Sequence, residues 1–190
     1  MQKETGLDLD LGDNDLVSII VETRNTEMFG VLYDRHAPNV YNKCLFFLHD
    51  PMEAQDLTHD IFVQLFVKLH TFKGESKFTT WLYSLTYNFC VNYIQRDVEK
   101  IHKKEEIRDD IMESAENTIS DKQIFELRLD KLQRSMNEID PNDKALLIMK
   151  YQDNFSIKEI MGALGITESA VKMRLKRAKH KLLDVYNTIK

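Results

Sequence analysis

A chain of 190 residues has room for one ordinary domain or two small ones with separate cores, and its organisation favours two. With 43% apolar and 30% charged residues but only six Gly and three Pro, the composition suits a helical protein with almost no strand signal. The net charge of −5 is unevenly held, because residues 155–190 contain eight Lys and Arg against three Asp and Glu, a surplus of five that leaves −10 on the rest.

Residues 1–12 read as an acidic tail. The start is neither basic nor apolar, and no stretch approaches the roughly 18 consecutive apolar residues of a membrane span, so a cytoplasmic protein with no membrane span of its own is expected. Asp13 or Asn14 is placed to cap a helix running to about Thr23, with Leu16, Val17, Ile19 and Ile20 as its buried side. After a break at Arg24–Thr26, a second helix covers Glu27 to Leu48, and Pro38 is expected to kink or restart it. His49-Asp50-Pro51 marks the next stop.

From Met52 to His70 a third helix sets Leu57, Ile61, Leu65 and Leu69 in one apolar line at steps of four. Its other face carries Gln55, Asp56, His59, Asp60 and Gln64 beside Phe62 and Phe66, which lean outward in this reading. Two carboxylates four residues apart have the spacing of a general acid and base, but no nucleophile, metal or partner base accompanies them, and a docking strip is the better reading. Cys44 and Cys90 lie in apolar helices without CxxC or zinc-ligand spacing and are read as buried thiols; the six His are scattered, and no metal or cofactor is expected.

Thr71 to Lys77, TFKGESK, is a Gly-containing loop with two lysines, followed by an aromatic-rich helix from Phe78 to Arg96 in which Phe78, Leu82, Leu85 and Phe89 share a face. Trp81, Tyr83, Tyr87 and Tyr93 belong by type to packing more often than to base stacking, yet a basic loop feeding such a helix suits single-stranded DNA. The charged segment 97–122 reads as a linker. Ile124 to Ile139 then forms a first helix of a second domain, Asp140-Pro141 ends it and starts the next, and Ala145 to Tyr151 supports the C-terminal helix pair.

Phe155 to Lys181 has the pattern of a helix-turn-helix. Ser156 caps a helix with Glu159 as its capping-box partner, Gly165 supplies the left-handed stop, and Thr167 caps a second helix after a turn of about three residues. In that second helix Val171, Leu175, Ala178 and Leu182 share the packing face, while Ser169, Lys172, Met173, Lys176 and Lys179 are offered outward. Such a cationic helix fits the major groove of duplex DNA.

The residues Phe29-x-x-Leu32-Tyr33, Tyr41, Ala54-x-Asp56-Leu57-x-x-Asp60-Ile61-Phe62, Phe78-x-Thr80-Trp81-Leu82-Tyr83 and Asn88 stand in the first half. Ile157-x-Glu159-Ile160, Leu164-Gly165-Ile166, Ala170-Val171-Lys172-x-Arg174-Leu175 and Arg177-Ala178 stand in the second. On these the chain resembles the extracytoplasmic-function (ECF) subfamily of bacterial RNA polymerase sigma factors. The resemblance implies an all-α protein of two small helical domains, residues 13–96 and 123–190, joined by the linker. It implies a non-enzymatic subunit that binds core RNA polymerase, directs it to promoter DNA and helps open it, under the control of an anti-sigma factor.

Polymerase binding then falls to Gln55, Asp56, His59, Asp60 and Gln64. The minus-10 element falls to Phe72, Lys73, Glu75, Ser76, Lys77, Thr80 and Trp81, around a pocket for an extruded base. The minus-35 element falls to Ser169, Lys172, Met173, Arg174, Lys176, Arg177 and Lys179, with Lys172, Met173 and Lys176 nearest the bases. Three rival readings remain: a stand-alone helix-turn-helix regulator that needs no polymerase, a helical enzyme using Asp56 and Asp60, and an interaction protein whose basic helix meets another protein.

Overall fold

A computed structural model of the chain describes residues 11–101, with side chains to residue 96, and residues 129–189. Residues 1–10 of the expected acidic tail (1–12), most of the 97–122 linker, and the start of the helix expected from Ile124 lie outside the described residues. Every element described is helical, and no strand occurs among them. The chain divides into two compact units, Met1–Cys90 and Val91–Lys190.

In the first unit α1 spans Asp13–Thr23, α2 Thr26–Leu48 and α3 Pro51–Lys68, the last continuing into a single 3-10 turn at Leu69–Thr71; α4, Phe78–Ile101, starts in this unit. The stops are built from local chemistry. Arg24 and His49 both take left-handed conformations, at φ 55° and 60°, and each is followed by a capping side chain. Asn25 Oδ1 accepts from the backbone N–H groups of Glu27 and Met28, and Asp50 Oδ1 accepts from those of Met52 and Glu53, with Pro51 at the first helical position, where its missing N–H costs nothing.

Of the kink or restart expected at Pro38, the restart does not occur: α2 runs unbroken through that residue. Pro38 and Asp34, the residue four positions earlier whose carbonyl loses its partner, are both exposed, so water can satisfy that oxygen. The buried side chains Leu32, His36, Val40, Cys44 and Phe47 on the opposite side hold the helix together. Nor does Asp13 or Asn14 cap α1: the cap position is Gly12, with no side-chain bond, and both polar side chains reach across to other helices.

The line Leu57, Ile61, Leu65 and Leu69 is buried throughout, as its spacing requires. On α4 the buried face is turned from the expected one. Leu82, Thr86, Tyr87 and Cys90 are fully enclosed, whereas Leu85 and Phe89 are half-buried. Cys44 and Cys90 meet in this core with their sulfurs 3.9 Å apart, and the thiol of Cys90, donating to Cys44, holds the Cys44 pKa below its ordinary value despite burial.

In the second unit α5 spans Leu129–Glu138, α6 Pro141–Leu147, α7 Ile157–Leu164 and α8 Glu168–Thr188. A π-helical turn at Ile148–Gln152 unwinds the end of α6, and Asn154, at φ 57°, redirects the chain into α7. The core is Met136, Ile139, Ala145 to Met149, Phe155, Ile160, Val171, Leu175, Ala178 and Leu182. The ammonium of Lys144, a buried residue, bonds Asn137 Oδ1 at 3.1 Å, and Lys181 pairs with Asp143 at 2.7 Å across α6 and α8.

Candidate functional site

The helix-turn-helix is assembled almost wholly by bonds between near neighbours. Ser156 Oγ accepts from the Glu159 N–H while Glu159 Oε2 accepts from the Ser156 N–H at 2.8 Å, a complete capping box. Gly165, at φ 65°, and Ile166 both donate to the Met161 carbonyl, which ends α7. Thr167 Oγ1 accepts from Ala170 N–H and starts α8, so the turn is the three residues Gly165, Ile166 and Thr167. The packing face Val171, Leu175, Ala178 and Leu182 is buried.

The other side of α8 therefore points away from the core. Ser169, Lys172, Met173, Arg174, Lys176 and Arg177 are exposed, and Lys179 is half-buried. Met173, at 60% exposure, is an apolar side chain held out among cations. Lys172 is paired with Glu168 one turn earlier at 2.6 Å, and that ammonium holds the Glu168 carboxyl below its ordinary pKa. Ser169 Oγ lies 3.1 Å from Thr167 Oγ1.

In the first unit the α3 strip is as exposed as its composition suggests. Gln55, Asp56, His59 and Asp60 face solvent, and Gln64 is half-buried. Phe62 is a correction: it is 3% exposed, because its ring packs 4.5 Å from Tyr33 and edge-on to Phe29 at 6.4 Å. Phe66 is half-buried and also edge-on to Phe29, at 4.9 Å. α2 and α3 are thus joined by aromatic pairs, a geometry worth about 0.5–1.5 kcal/mol each beyond the area buried.

What composition alone passes over is that the acidic strip is also apolar. Met52, Val63 and Val67 are 76%, 62% and 56% exposed, and at 100° per residue they fall among Asp56, His59 and Asp60. A helical projection shows these three opposite the buried line. An exposed apolar run framed by charge has the make-up of a docking surface rather than of a solvated face.

The loop before α4 is clasped at both ends by rings. Phe72 is edge-on to Phe78 at 5.7 Å and tilted against Trp81 at 5.5 Å, and Phe78 lies 6.1 Å from Trp81. Between them Gly74 holds φ 70°, a conformation that L residues adopt at a cost, while Lys73, Glu75 and Lys77 are exposed and Ser76 is half-buried. Thr80, the other expected residue, is buried, and its carbonyl accepts from Ser84 Oγ. Trp81 is half-buried, with its ring in the cluster.

Among the described residues no three or more His, Cys, Asp or Glu side chains converge as a metal site would require, and no helix is long and apolar enough to cross a membrane. The chain as a whole is similar to known proteins. Residues 32–98 match the model for sigma-70 region 2, and residues 129–182 match that for sigma-70 region 4. The ECF RNA polymerase sigma factor SigW of Bacillus subtilis is 24% identical over 169 residues, spanning 85% of this chain and 90% of the relative.

RNA polymerase sigma factor YlaC of the same organism is 26% identical over 155 residues, 80% of this chain and 87% of its own. Among solved structures, CnrH, determined with the cytosolic domain of CnrY, superposes with a TM-score of 0.62 at 20% identity, covering 94% of this chain and 99% of that one. RpoE of Bartonella quintana, determined with the anti-sigma factor NepR, gives 0.59 at 17%, covering 85% and 98%. Two helical units that match regions 2 and 4 in that order, with sigma factor relatives spanning most of both chains, make this chain a member of the ECF family of RNA polymerase sigma factors.

Proposed function

We infer that the protein is a promoter-specific transcription initiation factor that binds core RNA polymerase, delivers it to DNA and assists opening, with no chemistry of its own. The observation that carries this reading is the pairing, in one chain, of the exposed acidic and apolar face of α3 with the outward cationic face of α8. The first is suited to a basic protein surface, and the second to a duplex. Asp56 and Asp60 steer and orient docking, Met52, Val63 and Val67 supply the apolar contact, and Gln55, His59 and Gln64 frame it.

On DNA, Lys172, Met173 and Lys176 lie nearest the base edges of the minus-35 element, and Ser169, Arg174, Arg177 and Lys179 meet phosphates. Phe72, Lys73, Glu75, Ser76, Lys77 and Trp81 surround an extruded base of the minus-10 element, where stacking and edge contacts offset a flipping cost of a few kcal/mol. The domain extents that serve these tasks are 13–96 and 123–190, with 97–122 as the linker, and the place of work is the cytoplasm, where polymerase and DNA are.

A net charge of −5 opposes binding to a polyanion without help, which favours a factor that reads DNA on polymerase and not alone. The control partner in this reading is an anti-sigma factor, the class of protein that RpoE was solved with.

The test is run-off transcription from a pool of genomic fragments with purified core polymerase, with and without this protein. Promoter-specific transcripts that depend on its addition are expected, and their aligned upstream sequences would give both elements. A protein that shifted duplex DNA by itself and produced no such transcripts would instead be a stand-alone regulator.

A further inference from the structure

Resting on the minus-10 reading above, we propose that the first turn of α1 positions the base-reading loop, with Asn14 as the residue that sets it through Phe78. Asn14 is placed to cap its own helix and does something else. Its Oδ1 accepts from the backbone N–H of Phe78 at 3.1 Å, a bond between residues 64 apart in sequence. That N–H belongs to the first turn of α4, whose donors have no partner within the helix. α4 is therefore capped from α1, at the point where the loop ends.

The side chain of Phe78 is held from the same quarter. Asp13 divides its carboxylate, Oδ1 accepting from Arg35 at 3.1 Å and Oδ2 lying 2.9 Å from His36 Nε2. Arg35 also donates to the Leu11 carbonyl at 2.7 Å, which fixes the start of α1 against α2. The buried His36 ring, oriented by Asp13, lies 5.4 Å from the ring of Phe78.

Phe78 thus has its backbone fixed by Asn14 and its ring supported by His36, while Phe72 at the other end of the loop rests on that same ring. A shift at Phe78 passes directly into the proposed site. Lys77 is its neighbour, and the Lys77 carbonyl accepts from the N–H groups of Thr80 and Trp81. None of Asp13, Asn14, Arg35 and His36 needs to touch DNA; they are positioning residues, and Asn14 is the one whose bond reaches the loop's own backbone.

The distinguishing property is base preference, not total activity. A destabilised factor loses opening on every promoter in the same proportion, whereas a displaced loop loses its power to tell one extruded base from another. Holoenzyme reconstituted from core polymerase and the full chain is given four versions of one promoter recovered by the run-off selection, differing only at the extruded minus-10 base. Opening is followed by the fluorescence of a 2-aminopurine placed near the start site.

The ratio of best to worst base should fall about five-fold in Asn14→Ala, the size of a lost helix cap, and stay near that of the unsubstituted chain in Asn14→Asp, which keeps an oxygen acceptor. Asn14 is exposed, and a ratio does not depend on the folded fraction. An unchanged ratio in Asn14→Ala, or Asn14→Asp behaving like Asn14→Ala, would overturn the proposal. No opening by the unsubstituted chain on any version would instead sink the initiation-factor reading, and this inference with it.

Discussion

The two regions proposed to face DNA are built by opposite means. The helix-turn-helix takes its shape from bonds spanning three to five residues: the Ser156–Glu159 box, the Met161 carbonyl that receives Gly165 and Ile166, and the Thr167 cap. The loop before α4 is shaped by residues far off in sequence, with Asn14 on the Phe78 amide and His36 beneath its ring. A locally specified element tolerates change elsewhere in its unit. One specified at long range inherits every disturbance in the helices that hold it.

The largest expected effect breaks the second kind of construction. Phe78→Ala removes a ring that is 1% exposed and that joins Phe72, Trp81 and His36, and should cost about 3–5 kcal/mol. Chemical denaturation followed by the fluorescence of Trp81, the one tryptophan of the chain, reads this loss in the unit concerned. Val63→Asp tests the α3 surface, which belongs to neither construction. It puts a charge into the exposed apolar run of α3 without touching the core, so the melting midpoint should hold while affinity for core polymerase falls by about 2 kcal/mol in a titration.

Gly165→Ala addresses the local construction alone. A Cβ there meets no neighbouring atom, so the cost is the left-handed φ of 65° itself, about 1–2 kcal/mol. Holoenzyme binding to a duplex carrying the minus-35 element should weaken in step, while the Trp81 signal of the free protein stays as it was. The smallest effect sharpens the picture of α8. Glu168→Gln frees Lys172 from its ion pair and removes a negative charge beside the proposed DNA face, and should tighten duplex binding by the holoenzyme about two-fold at low salt.

The sign with pH comes from the same pair. The folded Glu168 pKa is depressed, so the pairing is present above the ordinary carboxylate pKa and is lost as pH falls through the lowered folded value. An NMR titration of the Glu168 carboxyl carbon in the free protein would track it.

How far each region could be read in advance depends on this division. Ser156, Glu159, Gly165 and Thr167 announce the helix-turn-helix because the partners of each are a few positions away, and the step of three and four picks out Val171, Leu175, Ala178 and Leu182 as buried. The line Leu57 to Leu69 is equally legible. Asp13 and Asn14 look like caps by the same local logic and are not, since a tertiary acceptor role competes with capping and leaves no mark at short range.

Phe62 reads as outward only while Phe29 and Tyr33, about thirty residues earlier, are unseen as its partners. A restart at Pro38 is expected only until its exposure, and that of Asp34, supplies water to the freed Asp34 carbonyl. The apolar run Met52, Val63 and Val67 is available from a helical projection but is masked by the charges around it.

The measurement that bears most directly on the division of labour is selection from a promoter library with both elements randomised, using holoenzyme carrying the unsubstituted chain, Lys172→Ala or Lys73→Ala. Lys172→Ala should change base preference in the minus-35 element only, by about 1–3 kcal/mol at the contacted position, and Lys73→Ala should change it in the minus-10 element only. If both substitutions altered the same element, or each lowered all promoters equally, the assignment of one promoter element to each unit would be wrong.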